Sequence, residues 1–177
     1  MHKSIPFWQI AGFLFTSVTG TLLHFLFGWS GETHLAALFS PINESVWEHM
    51  KLIYYPMVLF AWIEYQALGK ERAQFWAIKL RGILLALCLI PSMYYIYTGI
   101  SGKPVHWLNI MIFYLSAGIA FRLECRYFLT ENAYSIAPKT AITLLILIGL
   151  IFMLFTFHPP VLPIFRDPIN GGYGYTH

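Results

Sequence analysis

Chemically reactive side chains are concentrated in one short stretch of this sequence, residues 40–51. Within it, Asn43, Glu44, Glu48 and His49 stand close together in a chain that is otherwise mostly apolar. Carboxylates beside an imidazole can act as general acid and base, or can hold Zn²⁺ with an activated water. The spacing differs from the HExxH motif, in which two histidines lie one helical turn apart. A catalytic or metal site here therefore needs residues from other parts of the chain.

The elements that must position these residues are apolar segments of membrane length. The chain has 177 residues, of which 58% are hydrophobic and 11% charged, whereas soluble domains carry about 25% charged residues. A helix needs roughly 20 apolar residues to cross the hydrocarbon core of a bilayer, and its backbone must be hydrogen-bonded internally. The sequence predicts an all-α polytopic membrane helix bundle, a single domain over 1–177. Five transmembrane helices are expected at about 7–27, 41–68, 82–99, 107–121 and 140–157.

The distribution of lysine and arginine predicts the orientation of these helices. Of the 11 basic residues, eight fall on one side of the predicted bundle: Lys3, Lys70, Arg72, Lys79, Arg81, Arg122, Arg126 and Lys139. Basic loops face the cytoplasm, so the N-terminus is predicted inside and the C-terminus outside. On the cytoplasmic side, Glu64 and Glu124 are interpreted as ordinary surface partners of the basic side chains.

The predicted orientation brings four histidines to the outer ends of four helices: His24, His49, His106 and His158. The tail that follows, residues 158–177, contains prolines and glycines that exclude a helix over most of its length. It is also too apolar and aromatic for a solvated disordered tail. We therefore expect an ordered, non-helical segment across the outer face. There Asp167 could serve as a ligand or base, and Arg166 could pair with a carboxylate.

The pair Ser40-Pro41 predicts the start of the second helix, with serine as N-cap and proline in the first turn. A helix from this point aligns four polar residues on one stripe: Glu44, Glu48, Lys51 and Tyr55. At about 100° per residue, His49 points roughly 140° away from Glu44. The stripe predicts a polar pocket open to the outer side. The alternative is a solvated ion-pair set on an interfacial turn.

From this geometry we expect catalytic roles for Glu44, Glu48, His24 and Asp167. Binding roles are expected for Asn43, His49, Lys51, Tyr55 and Arg166. A divalent metal such as zinc is expected, if one is bound, at His24, Glu44, Glu48 and His158. Haem held by paired outer histidines is the weaker cofactor hypothesis.

Several parts of the sequence together resemble a family of small, uncharacterised integral membrane proteins of bacteria. The resemblance covers the whole chain, and its most specific part is the Asn-Glu-Ser-x-Trp-Glu-His signature at residues 43–49. The signature lies within a longer matching run, residues 39–51. The other matching parts are Leu23-His24-Phe25, Trp29-Ser30-Gly31, Pro159-Pro160, Phe165, Asp167-Pro168 and Gly172-Tyr173-Gly174. The resemblance implies a multi-pass protein of the bacterial cytoplasmic membrane, and it assigns no catalytic role to any residue.

Two classes of function fit these observations. The first is a membrane-embedded, metal-dependent hydrolase or lipid/acyl transferase that acts on a lipid or membrane-associated substrate. The second is non-catalytic: a binding or transport protein for a cation or polar headgroup, or a structural subunit of a membrane complex. Transport is the less favoured of these because the middles of the predicted helices lack charged residues. No basic block suggests nucleic acid as a partner, and the oligomeric state stays open.

Overall fold

The computed structural model of the protein describes residues 4–130 and 136–175. Over these residues the chain is all-α, as predicted, and its one β-type pairing is an isolated bridge between Arg166 and Tyr173. The six α-helices are α1 Ser4–Trp29, α2 His34–Phe39, α3 Val46–Leu68, α4 Phe75–Ser101, α5 His106–Thr130 and α6 Pro138–Phe157. Two 3₁₀ turns, Gly69–Glu71 and Pro163–Phe165, complete the order.

Four helices in the described part of the chain are long and apolar enough to cross a membrane, namely α1, α4, α5 and α6. The fifth long helix, α3, has 23 residues but carries Glu48, Lys51 and Glu64. It lies in the centre of the bundle, where it packs against α1, α4 and α6. Large apolar side chains on the outer helices point away from the core and are exposed, among them Phe7, Leu14, Ile96, Ile146 and Leu150. These faces indicate a membrane protein.

Two helices, α4 and α5, extend well beyond the predicted apolar segments into stretches that contain charged residues. The helix α4 begins at Phe75 and not near residue 82, and α5 continues to Thr130. Both extensions carry a fully buried charge, Lys79 in α4 and Glu124 in α5. Hydropathy alone ends a segment at the first charged residue, whereas the helical backbone continues past it.

The predicted start of the second long helix at Pro41 is wrong. The short helix α2 ends at Phe39, with Ser40 as its C-cap, and α3 begins only at Val46. Ser45 is the N-cap, with extended backbone angles and a side chain that accepts from the Glu48 amide at 3.3 Å. Asn43 closes the preceding turn by accepting from the Ser45 amide at 3.0 Å. The Ser40 hydroxyl, predicted as the cap, bonds instead to the Leu23 carbonyl and the Phe27 amide of α1, so it does not cap a helix at Pro41.

The tail is ordered and crosses the ends of α6 and α1. Phe165 is buried against Trp47 at the start of α3, with ring centroids 4.7 Å apart. The Tyr175 amide donates to the Thr156 carbonyl at 3.0 Å, and its hydroxyl donates to the Glu32 carbonyl at 2.9 Å. The last two residues of the predicted tail, 176 and 177, lie outside the described residues.

At the opposite end of the bundle, the interpretation of Glu64 and Glu124 as surface partners is wrong. Both carboxylates are fully buried and form salt bridges with Lys79, which is 1% exposed. Lys51, on the other end, is also fully buried. Each predicted side of the bundle therefore has one lysine that is an internal ion-pair partner and not an interfacial charge. The other basic residues are still distributed unevenly between the two sides.

Candidate functional site

Three of the sequence-predicted residues, His24, Glu44 and His49, meet at one end of the bundle. His24 lies near the end of α1, Glu44 in the loop before α3, and His49 in the first turn of α3. One ring nitrogen from each histidine and one carboxylate oxygen lie within 4.8 Å of one another. All three side chains are partly buried. The group could hold a metal ion, and it is the one such cluster found among residues 4–130 and 136–175.

The orientation of His49 differs from the prediction. Because α3 starts at Val46, Glu44 lies in a turn and not on the helix, so the 140° separation does not apply. Instead, His49 Nε2 lies 3.4 Å from Glu44 Oε2. On the other side of the ring, Nδ1 lies 3.0 Å from the Ser45 carbonyl. A carbonyl oxygen only accepts hydrogen bonds, so Nδ1 of His49 carries a proton. Nε2 then faces Glu44 in one of two ways: as a second N–H group, or as a lone pair with a cation beside it.

His24 is brought to this cluster by close packing of α1 on α3. Gly20, one turn before His24, lies so near α3 that an added Cβ would be 2.5 Å from the Leu52 carbonyl oxygen. The Ser40 hydroxyl holds the same turn of α1, since it donates to the Leu23 carbonyl at 2.6 Å and accepts from the Phe27 amide at 3.1 Å. The ring centroids of His24 and His49 are 5.3 Å apart. The Nδ1 atom of His24 is buried and has no hydrogen-bond partner among the described residues.

A cavity of about 360 Å³ adjoins the cluster, between α1 and α5. Its polar side is formed by His24, Glu44, His49, His106 and Asn109. Its walls are apolar or aromatic, with Phe25, Leu52, Ile110, Phe113 and Tyr114. Phe25, Ile110 and Tyr114 are 49%, 46% and 37% exposed on the outer faces of their helices. The cavity therefore opens to the side of the bundle, with its polar groups near the helix ends.

Glu48, predicted as a second catalytic carboxylate, belongs to a closed network instead. It is 2% exposed. Its Oε2 accepts from Lys51 at 2.7 Å and from the Ile42 amide at 3.1 Å, and its Oε1 accepts from Thr156 at 3.2 Å. Lys51 donates in addition to the carbonyls of Ala37 and Ser40. The pair thus fastens α3 to α2 and α6, and neither residue lines the cavity beside His24.

Asp167 and Asn43 lie at a different place, a polar cavity of about 160 Å³ under the tail. Asp167 is buried and its Oδ1 accepts from the Ile169 amide at 2.8 Å, which closes a turn within the tail. The Asn43 amide reaches the Gly174 carbonyl at 3.4 Å. The Arg166 guanidinium lies beside Gly171, within the tail itself. The structure does not bring these three residues to the His24 cluster.

The remaining predicted residues are also separate from the cluster. The Tyr55 hydroxyl is 3.4 Å from the Gly149 carbonyl of α6, and the ring lines an apolar groove on another side of α3. His158 caps the end of α6 and is exposed. His106, which the predicted site omitted, lines the cavity opposite His24. Its place at the predicted outer end of an apolar segment was the available signal. His158 has the same signal, and the sequence does not say which of the two histidines faces α1.

The architecture defines an all-helical protein with helices of membrane-spanning length and a histidine–carboxylate cluster at one end. The chain belongs to a family of unknown function, DUF6512, whose family model matches residues 1–175. No curated protein and no solved structure matches the chain significantly.

Proposed function

We propose that this protein is a multi-pass membrane protein that binds a divalent metal ion at His24, Glu44 and His49. The observation that carries the proposal is the approach of His49 Nε2 to Glu44 Oε2 at 3.4 Å, with Nδ1 already committed to the Ser45 carbonyl. A ligating histidine typically donates its other N–H to a carbonyl in this way. Neighbouring ligands on a tetrahedral zinc ion are about 3.3 Å apart, given metal–ligand distances near 2.0–2.1 Å.

Zinc is the metal that the donor set favours. Two imidazoles and one carboxylate form a known catalytic zinc set, in which the fourth position stays open for water or substrate. The buried, unpartnered Nδ1 of His24 fits a ligand position. His106 lies on the cavity wall, where it could complete the site or exchange a proton with a bound molecule. Glu48 and His158, which the sequence suggested as ligands, are not part of this proposed set.

The activity that we propose is metal-dependent hydrolysis of an amphiphilic, lipid-like substrate. A zinc ion at this place would supply a bound water with a pKa near 7, as in zinc hydrolases. The cavity has apolar walls that suit an alkyl or acyl chain, and its polar side carries the cluster. Its opening between α1 and α5 would admit such a molecule directly from the bilayer. An acyl or lipid transferase would use the same site with an acceptor hydroxyl in place of water.

Metal content tests the binding step. The full-length protein, purified in detergent and supplied with Zn²⁺, should retain about one zinc per chain after desalting, measured by mass spectrometry. His24→Ala and His49→Ala should each lower that content at least tenfold, as loss of a ligand does. His158→Ala is the matched control and should keep it, because His158 lies at the same end of the bundle but does not line the cavity. Retention of zinc by both ligand variants would contradict the proposed site.

Hydrolysis is tested separately in nanodiscs that contain a fluorogenic phospholipid. The expected result is release of the fluorophore that stops with a chelator, returns with Zn²⁺ and is lost in His49→Ala. A protein that binds zinc but hydrolyses neither this lipid nor a short-chain ester would favour the second candidate, non-catalytic binding of a cation or polar headgroup. A protein with neither property would favour a structural subunit.

We also propose that α3 is a fifth membrane span. Its charged side chains Glu48, Lys51 and Glu64 are buried and paired inside the bundle, so they are not presented to lipid. Five spans place the N-terminus inside and the C-terminus outside by the distribution of basic residues. The histidine cluster and the tail then lie at the outer face of a bacterial cytoplasmic membrane.

A further inference from the structure

A second polar cluster lies at the end of the bundle opposite the histidines. Gln9 of α1, Glu64 of α3, Lys79 of α4 and Glu124 of α5 meet there, each no more than 3% exposed. Lys79 Nζ forms salt bridges with Oε2 of both carboxylates, and Gln9 Nε2 donates to Glu64 Oε1 at 2.6 Å. Glu64 is 15 residues beyond His49 on α3, about 22 Å along the helix. This cluster is therefore independent of the proposed metal site.

The charges in this cluster do not balance. Two carboxylates face one ammonium group, and Gln9 is neutral. Four aromatic rings surround Lys79 Nζ at 5.3 to 5.9 Å from their centroids: Phe60, Phe75, Phe121 and Phe128. Water is thus excluded, and an uncompensated charge in such a place is strongly unfavourable.

In the described part of the chain, the other titratable groups near the cluster contact other side chains. The guanidinium groups of Arg72 and Arg81 lie over the rings of Phe128 and Tyr127. Tyr65 of α3 packs on Phe75 and Trp76, and Cys125 of α5 packs at the apolar side. Arg122 of α5 is on its exposed face. Lys79 is the cation that the structure pairs with Glu64 and Glu124.

Two buried oxygens in the cluster also lack a hydrogen-bond donor within the described part of the chain. They are Glu124 Oε1 and Gln9 Oε1. An added Cβ at Gly82 would come within 2.1 Å of Glu124 Oε1, so this oxygen lies against the backbone of α4. Buried acceptors without donors are costly, and neither oxygen is accessible to solvent.

We infer that Glu64, Lys79 and Glu124 form a proton-binding site. One proton on a carboxylate oxygen, with Glu124 Oε1 the open position, converts that group to a neutral carboxyl while Lys79 stays charged. The cluster is then electrically neutral and joins four helices. Release of the proton restores the uncompensated charge, so the bundle loses stability as the pH rises through the range in which the proton leaves.

Infrared spectroscopy of the full-length protein in nanodiscs tests this site. At neutral pH the wild-type protein should show the C=O stretch of a protonated carboxyl, and that band should disappear at alkaline pH. Glu64→Gln and Glu124→Gln each leave one carboxylate against one ammonium, so either change should remove the band. If the wild-type protein lacks the C=O band at neutral pH, the inference is overturned, and no variant is needed to show it.

Glu48→Gln is the matched control. Glu48 is equally buried but forms a balanced one-to-one pair with Lys51, so this change should leave the band unaltered. If the glutamine variants do not fold, Glu64→Asp and Glu124→Asp keep the charge count and should shift the band. A band that stays unmoved in both aspartate variants, or persists in both folded glutamine variants, belongs to another carboxyl and refutes the site.

Discussion

At the scale of single residues, pairing inside the bundle decides which polar groups are available for chemistry. Glu48 and Glu44 stand four residues apart and look alike in sequence. Glu48 accepts from Lys51, Ile42 and Thr156 and is closed off, whereas Glu44 faces His49 and a cavity. Glu44 and His49 are therefore the residues of the signature at positions 43–49 that are available for chemistry.

The Glu48–Lys51 pair gives the first prediction. Lys51→Met leaves the Glu48 carboxylate buried without its cation, so the free energy of unfolding should fall by about 3–5 kcal/mol. Adding Glu48→Gln to this variant should recover part of the loss, because no charge then stays unpaired. The measurement is thermal or denaturant unfolding in detergent.

Lys103→Met is the control for that substitution. Lys103 is exposed in the loop between α4 and α5, so its removal should change stability by less than about 0.5 kcal/mol. Equal effects of the changes at Lys51 and Lys103 would show that the ion pair contributes no stability of its own.

At the scale of helices, small residues set how closely α1 approaches its neighbours. Gly12 and Gly20 lie on the buried face of α1, and a Cβ at Gly12 would meet the rings of Phe121 and Phe60 at 2.5 and 2.6 Å. Close helix contact at glycine is common in membrane bundles. It places His24 within reach of His49, which the spacing of residues along the chain does not reveal.

Gly20→Ala should therefore disturb both stability and the site. The new methyl group meets the Leu52 carbonyl oxygen and the Phe113 ring, so we expect a loss of about 1–3 kcal/mol and a marked fall in zinc retention. Unfolding and metal content are measured on the same preparation.

Gly28→Ala, in the same helix, is the matched control. Nothing lies within 4 Å of a Cβ at Gly28, so the variant should keep its zinc and gain up to about 1 kcal/mol from helix propensity. An alanine at position 20 that leaves both zinc content and stability at the wild-type level would contradict the close-approach explanation.

At the scale of the whole molecule, the two ionisable clusters lie at opposite ends of one bundle, separated by an apolar layer that includes Ile53, Met57 and Phe60. The histidine cluster has a cavity, whereas the Glu64 cluster is enclosed by aromatic rings. A molecule in the cavity can thus reach the histidine cluster, whereas the enclosed Glu64 cluster is accessible to a proton. The proposed topology assigns them to opposite leaflets.

Cysteine labelling checks this topology. In a background without Cys88 and Cys125, Lys103→Cys should react with a membrane-impermeant thiol reagent in intact cells. Lys70→Cys should react only after the cells are permeabilised. Both positions are exposed in loops at opposite ends of the bundle. Labelling of both from outside the intact cell would show that α4, the helix between them, does not cross the membrane, and would contradict the proposed topology.

The sequence by itself determined the all-helical class, the approximate positions of the long helices and the residues from which a site is chosen. These follow from local properties, since hydrophobic length and backbone hydrogen bonding act within one segment. It also placed His24 and Glu44 among the candidates.

Only the tertiary structure decided which of these residues meet. The Ser45 cap started α3 five residues later than expected and turned His49 toward Glu44. Packing at Gly20 brought His24 to them, and buried pairing removed Glu48, Lys51, Glu64 and Glu124 from the surface. Helix rotation and charge pairing are set by contacts between segments far apart in sequence, and no single segment contains that information.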